Sequence, residues 1–507
     1  MPKKSIALTG NDLSFEQLCR IVDSDAEATL DSGARARMEA SRAVVERLVA
    51  GDSAAYGINT GFGALASVRI PHHELRELQF NLVRSHACGV GAPLAPTETR
   101  ALIALRANAL AKGFSGVRPI VVETLLAMLA RNVLPVIPSQ GSVGASGDLA
   151  PLAHLALVAI GEGQAIFEGA AISGAEALRR AGIEPLRLEA KEGLALLNGT
   201  QGMLALLALA LREAEILADT ADVAAALSLD ALRGSPAAFD ERISRIRPYP
   251  GQAATARNLT RLNRGSEIRE SHRAPEKDVR VQDAYSMRCT PQVHGAVRDS
   301  LSQVRTTISI ELNAATDNPL VFAESGEVIS GGNFHGQPLA MAADQTAVAL
   351  ATLAGICERR IEHMTNPHVS MLPAFLTPDA GLNSGFMIAQ VVAASLAGEM
   401  KALAAPHSVD SIPTSGDQED YVSMGMSAAR RLRPMLDALS HIIAIELLAA
   451  AQGIDFHAPL RTGIEARKAH ALVRSISATV AKDRPLAPDI AAVGELVRRG
   501  EFQQFVR

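Results

Sequence analysis

The chain has 507 residues, more than one compact core of ordinary size needs, and its 49 basic and 54 acidic side chains leave a net charge of −5. With 48% hydrophobic residues, 3% aromatics and no Trp, it has neither the basic block nor the aromatic platform of a nucleic-acid binder. Its four cysteines, Cys19, Cys88, Cys289 and Cys357, form no CxxC pair, which argues against a zinc site or disulfide framework and for a reducing, cytoplasmic setting.

The first residues, MPKKSIALTGNDLSFEQL, carry two lysines with no apolar segment behind them, unlike a secretory signal. The longest apolar run, MLALLALAL at 203–211, meets Arg212 and Glu213 well short of the roughly 20 residues that span a bilayer. A soluble protein without a membrane partner is expected.

Residues 1–198 predict a smaller, loop-rich N-terminal lobe. Short helical patterns alternate there with Gly- and Pro-bearing loops, such as GINTGFG at 57–63 and ACGVGAPLAP at 87–96. QAIFEGAAI at 164–172 predicts a hairpin turning at Glu168-Gly169. Residues 199–507 predict a bundle of long helices that also serves oligomerisation. From Gly202 to Arg233 the residues Leu207, Leu211, Ala214 and Ala218 form one stripe, and Gly234-Ser235-Pro236 stops the helix. The segment 250–280 is polar and charged and predicts a mobile surface loop, a candidate lid. A second long helix begins at Pro291, repeats Val297, Leu301, Val304, Ile308 and Leu312, and ends at Asn318-Pro319. The run LVFAESGEVIS follows as a hairpin, and helical patterns return at about 337–365, 385–404 and 425–452. The fold class is therefore mainly α, a long antiparallel helical bundle with alanine-rich faces suited to close approach and self-association.

Neither GxxxxGK[ST] nor a complete GxGxxG occurs, and His72-His73-Glu74 does not complete HExxH. No metal or nucleotide is predicted.

The stretch GSVGASGDLAP at 141–151 stands out. Asp148 is placed to cap the helix that follows, and Pro151 suits its first turn. That is one reading, a small-residue turn before a helix. The other is chemical. With no side chain on Gly147, its backbone nitrogen can close onto the carbonyl carbon of Ala145. Loss of water gives a five-membered imidazolone, and loss of the Ser146 hydroxyl leaves an exocyclic methylidene carbon. The product is an electrophile made from backbone, at a helix N-terminus that favours developing negative charge.

GSVGASGDLAPLAHLAL resembles the signature of the aromatic amino acid ammonia-lyases, whose Ala-Ser-Gly forms 4-methylideneimidazol-5-one (MIO). YGINTGFG at 56–63, LLNGTQ at 196–201, VQDAYSMRCTPQ at 281–292, TDNPL at 316–320, GGNFHGQ at 331–337, GLNSGFMIAQ at 381–390 and QEDYVSM at 418–424 resemble further blocks, in family order. The likeness covers roughly residues 40–460. It implies the family's helical bundle, of the style shared with fumarase and aspartase, although their GSSxMPxKxN loop is not found. It also implies a homotetramer with active sites shared between subunits, an amino acid substrate, and a cofactor formed from Ala145, Ser146 and Gly147.

Two places distinguish branches of the family. Ser85-His86 and Gln418-Glu419 resemble the histidine-acting members, which eliminate ammonia from L-histidine to give trans-urocanate, the first step of histidine degradation. A carboxylate suits a substrate ring with N–H donors; a phenyl ring would leave it unpaired at a cost. Tyr421 stands where those members more often carry His, so a tyrosine or phenylalanine ammonia-lyase, or a related aminomutase, is the alternative. The resemblance further implies Tyr56 as the base for the substrate β-proton and Arg288 as partner of its carboxylate, a pairing its planar fork suits. Glu419 is implied at the ring, with His86 beside it. Asn198, Gln282 and Tyr285 are implied as hydrogen-bonding residues around substrate or prosthetic group, and Phe334 as packing near them.

Overall fold

The computed structural model describes residues 4–51, 57–61, 68–274 and 280–506. It is about 60% helical with few short strands, as the composition predicts. The chain forms two compact units, and neither is continuous in sequence. The first comprises Met1–Leu209, Arg305–Asp344 and Pro406–Arg430; the second comprises Ala210–Val304, Gln345–Ala405 and Arg431–Arg507. The first crossing lies near the change of character read at residue 199. The crossings at 304/305 and 344/345 are made inside long regular helices, Thr290–Glu311 and Gln337–Thr365, and those at 405/406 and 430/431 follow the ends of helices Met387–Leu403 and Gly425–Arg430, so composition along the chain carries no sign of them.

The first unit opens with a parallel strand pair, Lys4–Leu8 with Ala26–Leu30. They are joined across helix Phe15–Val22, which Ser14 and Gln17 close with a capping box. Helix Pro96–Ala111 is buried all round from Thr99 onward, its Arg100, Arg106 and Asn108 side chains taking up hydrogen bonds inside the unit. Helices Pro119–Ala130 and Leu149–Ala159 are apolar nearly all round and are buried for that reason. The expected hairpin pairs Gln164–Phe167 with Ala170–Ser173, and Glu168 and Gly169 take φ of +51° and +82° in its turn. The strands Leu320–Phe322 and Glu327–Ile329 form the second expected hairpin.

A buried polar cluster ties the chain returns of this unit together. Lys191 Nζ lies 2.7 Å from Asp317 Oδ2, with side chains 0% and 3% exposed. Arg106 donates to Gln201 Oε1 (2.7 Å) and to the Ala195 carbonyl. Burial lowers its pKa to about 10, which still leaves it cationic at neutral pH. Gln201 Nε2 in turn donates to Thr316 Oγ1 at 2.8 Å. The segment 191–201 is thus fixed against 316–317 by groups that could not be buried unpaired.

The second unit is built around helix Leu432–Asp455, whose inner residues from Ile442 to Ile454 are all buried. A Cβ on Gly453 would come within 2.9 Å of the Ala231 Cβ at the end of helix Gln201–Ala231, so the small residues do permit close helix approach. Arg360 and Glu446 form a fully buried pair (2.5 Å), and His294 Nδ1 lies 2.8 Å from Asp222. The expected mobile loop at 250–280 is instead largely helical, with helices Pro250–Leu262 and Glu267–Ser271; residues 275–279 lie outside the described residues. Gly251, Gln252, Thr255, Ala256, Leu259 and Leu262 are buried at helical spacing. The inward stripe is made of small and polar residues, so the charge of the outer face masked it. Two helical stretches, Gln337–Thr365 and Gly425–Asp455, have the length and composition of a membrane span, but 67% and 78% of their apolar windows are buried inside the protein, as core helices are.

Candidate active site

The loop at 141–148 connects strand Pro138–Gln140 to helix Leu149–Ala159. Gly147 has φ of +72°, and a Cβ there would stand 2.2 Å from the Gly199 carbonyl oxygen. Only glycine fits, on conformation and on space. The contact is a parallel bridge between Gly147 and Gly199, continued by Asp148 N–H donating to Gly199 O at 2.7 Å. This places Asn198 against the triplet, and its Nδ2 donates to the Ser146 carbonyl oxygen at 2.9 Å. Asn198 Oδ1 is buried and has no hydrogen-bond partner among the described residues.

Asp148 does not cap its own helix. Its carboxylate accepts from Met203 N–H (2.7 Å) and from Ser142 Oγ (2.9 Å). It therefore caps a helix farther along the chain, Gln201–Ala231, and ties the 141–148 loop to that helix's first turn. Burial outweighs these bonds and raises its pKa to about 6.

The block around Glu419 closes on the same loop. Ser146 Oγ donates to Glu419 Oε1 at 2.8 Å, and Thr414 Oγ1 donates to Glu419 Oε2 at 2.8 Å. Thr414 and Glu419 also exchange backbone hydrogen bonds across a turn in which Ser415, Gly416 and Asp417 all have positive φ. Farther on, Met424 N–H donates to Val143 O and Ser423 Oγ to Gly144 O. These bonds hold 414–424 on the glycine-rich loop.

A cavity of about 580 Å³ opens over the loop, and His86, Ser146, Asn198, Phe334 and Glu419 all line it. Leu82, Leu149, Leu194 and Leu197 supply an apolar wall. His86 is the last residue of helix Leu75–His86, and its Nδ1 donates to Leu82 O at 2.8 Å, which leaves Nε2 as the acceptor. Burial pushes its pKa below the usual imidazole value, against the Leu82 bond and the Glu419 charge. Ala145 is buried beside Ser146. Such a site presents a carboxylate, an amide and a neutral imidazole to a ring-sized ligand.

Tyr56 lies outside the described residues, but Gly61 of the same sequence block lines the cavity. Gln282, Tyr285 and Arg288 are not among its lining residues; they belong to the second unit. There the Arg288 guanidinium stacks over the Tyr285 ring at 4.5 Å, with Tyr285 71% exposed. Gln282 is exposed as well. Tyr421 does not line the cavity either. Its exposed ring stacks on His335, and its carbonyl accepts from His335 Nε2 at 3.1 Å. Sequence reasoning missed Thr414 and Ser142. The only signal for Thr414 is a run of turn formers, TSGD, before Gln418-Glu419.

A family model described as aromatic amino acid lyase matches residues 13–475. A histidine ammonia-lyase of Koribacter versatilis is 55% identical, with 99% of this chain and all of the relative covered. Among solved structures, histidine ammonia-lyase from Trypanosoma cruzi matches with a TM-score of 0.91 at 44% identity, covering 99% of this chain and 95% of that one. Tyrosine aminomutase from Streptomyces globisporus matches with a TM-score of 0.93 at 40% identity, covering 99% and 98%. With the geometry of the glycine-rich loop, these likenesses establish that the chain belongs to the aromatic amino acid lyase family.

Proposed function

We propose that the chain is a histidine ammonia-lyase, which breaks the Cα–N and a Cβ–H bond of L-histidine to release ammonia and trans-urocanate. The observation that carries this reading is the Glu419 carboxylate beside Ser146, with His86 in the same cavity. A carboxylate there can accept from an imidazole N–H, whereas a phenyl ring offers it no donor.

The prosthetic group in this reading is MIO formed from Ala145, Ser146 and Gly147, which supplies an electrophilic carbon that activates the amino group for departure. The local geometry fits such a group. The Gly199 contact leaves no room for a side chain at Gly147, and the Asn198 amide already donates to the Ser146 carbonyl. In the proposed arrangement Asn198 stabilises negative charge at that oxygen. Glu419 orients the substrate ring, His86 and Phe334 pack beside it, and Tyr56 takes the β-proton. The apolar wall excludes water from these groups.

Gln282, Tyr285 and Arg288 reach the site from another copy in a homotetramer, where Arg288 pairs with the substrate carboxylate. The exposure of Gln282 and Tyr285 supports this. Four free cysteines accord with a cytoplasmic enzyme.

The test is direct. Purified protein with L-histidine should accumulate urocanate, and its intact mass should lie two waters below that of its sequence. Ser146→Ala should abolish turnover and stay short of the full mass loss. Turnover of tyrosine or phenylalanine with none of histidine would overturn the reading in favour of the second one, which the likeness to a tyrosine aminomutase keeps in view.

A further inference from the structure

We infer that Thr414 is the positioning residue for Glu419, and that the two oxygens of this carboxylate have separate duties, one tied permanently and one released when the Ser146 hydroxyl is lost. This rests on the histidine ammonia-lyase reading. The two oxygens have different donors: Oε2 takes the Thr414 hydroxyl and Oε1 takes the Ser146 hydroxyl, each at 2.8 Å. Both are hydrogen bonds to a carboxylate, stronger and more directional than neutral ones. Their fates differ. Formation of the methylidene carbon removes the Ser146 hydroxyl with the Cα hydrogen as one water, so Oε1 loses its donor. Thr414 is untouched by that chemistry and keeps Oε2.

The consequence is a carboxylate that remains pointed into the cavity with one oxygen free. The vacated direction runs from Glu419 toward residue 146, where the reacting amino acid must sit. An imidazole N–H from the substrate replaces the hydroxyl as donor to Oε1. In the unprocessed chain the same oxygen is occupied, so the ring site is complete only after the electrophile has formed. Thr414 suits this duty because its backbone is held independently of its side chain. Thr414 N–H donates to Glu419 O at 2.9 Å, and Glu419 N–H to Thr414 O at 3.2 Å. Replacing the hydroxyl therefore leaves the turn in place and frees only the carboxylate to rotate.

The experiment compares wild type with Thr414→Val, which keeps the shape and removes the hydroxyl, and Thr414→Ser, which keeps the hydroxyl. Intact mass, KM and kcat for histidine are measured on each full-length protein. Thr414→Val should lose the same two waters as wild type, yet its kcat/KM should fall about 10- to 100-fold, as expected for a lost hydrogen bond to a charged group. The fall should be carried mainly by KM. Thr414→Ser should stay within about threefold of wild type, since it retains the bond. Three results would overturn the inference: unchanged kinetics in Thr414→Val, equal impairment in Thr414→Ser, or a Thr414→Val chain that keeps its waters. A wild type that forms no urocanate overturns the functional reading and the inference with it. An active wild type with an unimpaired Thr414→Val overturns the inference alone.

Discussion

Gly147 and Asp148 set what the rest of the loop can do. Gly147→Ala would drive a methyl group into the Gly199 carbonyl and strain a φ of +72°. We expect that variant to retain its sequence mass and to show no turnover, checked by mass spectrometry beside the urocanate assay. Asp148 carries a pH signature. Its pKa is raised from 3.8 to about 6, so between these values the folded protein binds a proton that the unfolded chain has released. Its contribution therefore falls as pH rises through that window, by about 3 kcal/mol in total. In urea titrations from pH 4 to 7, Asp148→Asn should lack this part of the decline, and a variant with the wild-type pH slope would refute the assignment. Ser146, Asn198, His86, Phe334 and Glu419, which line one cavity, were offered by the sequence through blocks that resemble the family's, with a chemical reason of their own at Ser146 and Glu419. Thr414 was not, since a threonine in TSGD reads as a turn former until its hydroxyl is seen on Glu419.

Among elements, the long helices were the easiest to read. The helical patterns predicted Gln201–Ala231 and Gln337–Thr365 to within a few residues, and the start of Thr290–Glu311, which ends seven residues before the expected stop at Asn318-Pro319. The helix Pro250–Leu262 escaped because its inner face is Gly, Gln, Thr and Ala as much as Leu, and only packing reveals such a face. The cap of Gln201–Ala231 escaped for another reason, as its acceptor, Asp148, lies more than fifty residues upstream. The buried Lys191–Asp317 pair fixes the segment that carries Asn198. Asp317→Asn would leave the Lys191 ammonium buried without its counter-charge. A loss of about 3–5 kcal/mol is expected from urea denaturation, and a loss below about 1 kcal/mol would mean the pair is replaced by other partners.

At the scale of the whole molecule, helix Met387–Leu403 buries only Ala389, Ala393 and Met400, although it is strongly apolar. Ile388, Val391 and Val392 are 62%, 51% and 40% exposed along it. Light scattering should return the mass of four chains. Ile388→Asp combined with Val391→Asp should lower that mass and, if sites are shared as proposed, the activity with it. A fully active monomer would refute the sharing of sites. The discontinuity of the first unit has a further consequence, in the order of synthesis. The triplet at 145–147 leaves the ribosome early, but Glu419, Ser423 and Met424, which clasp its loop, come some 270 residues later. Under the proposed chemistry, the reactive carbon is expected to form only once these residues have closed on the loop. A polypeptide ending at residue 344 should keep the mass of its sequence, while the completed one sheds its two waters.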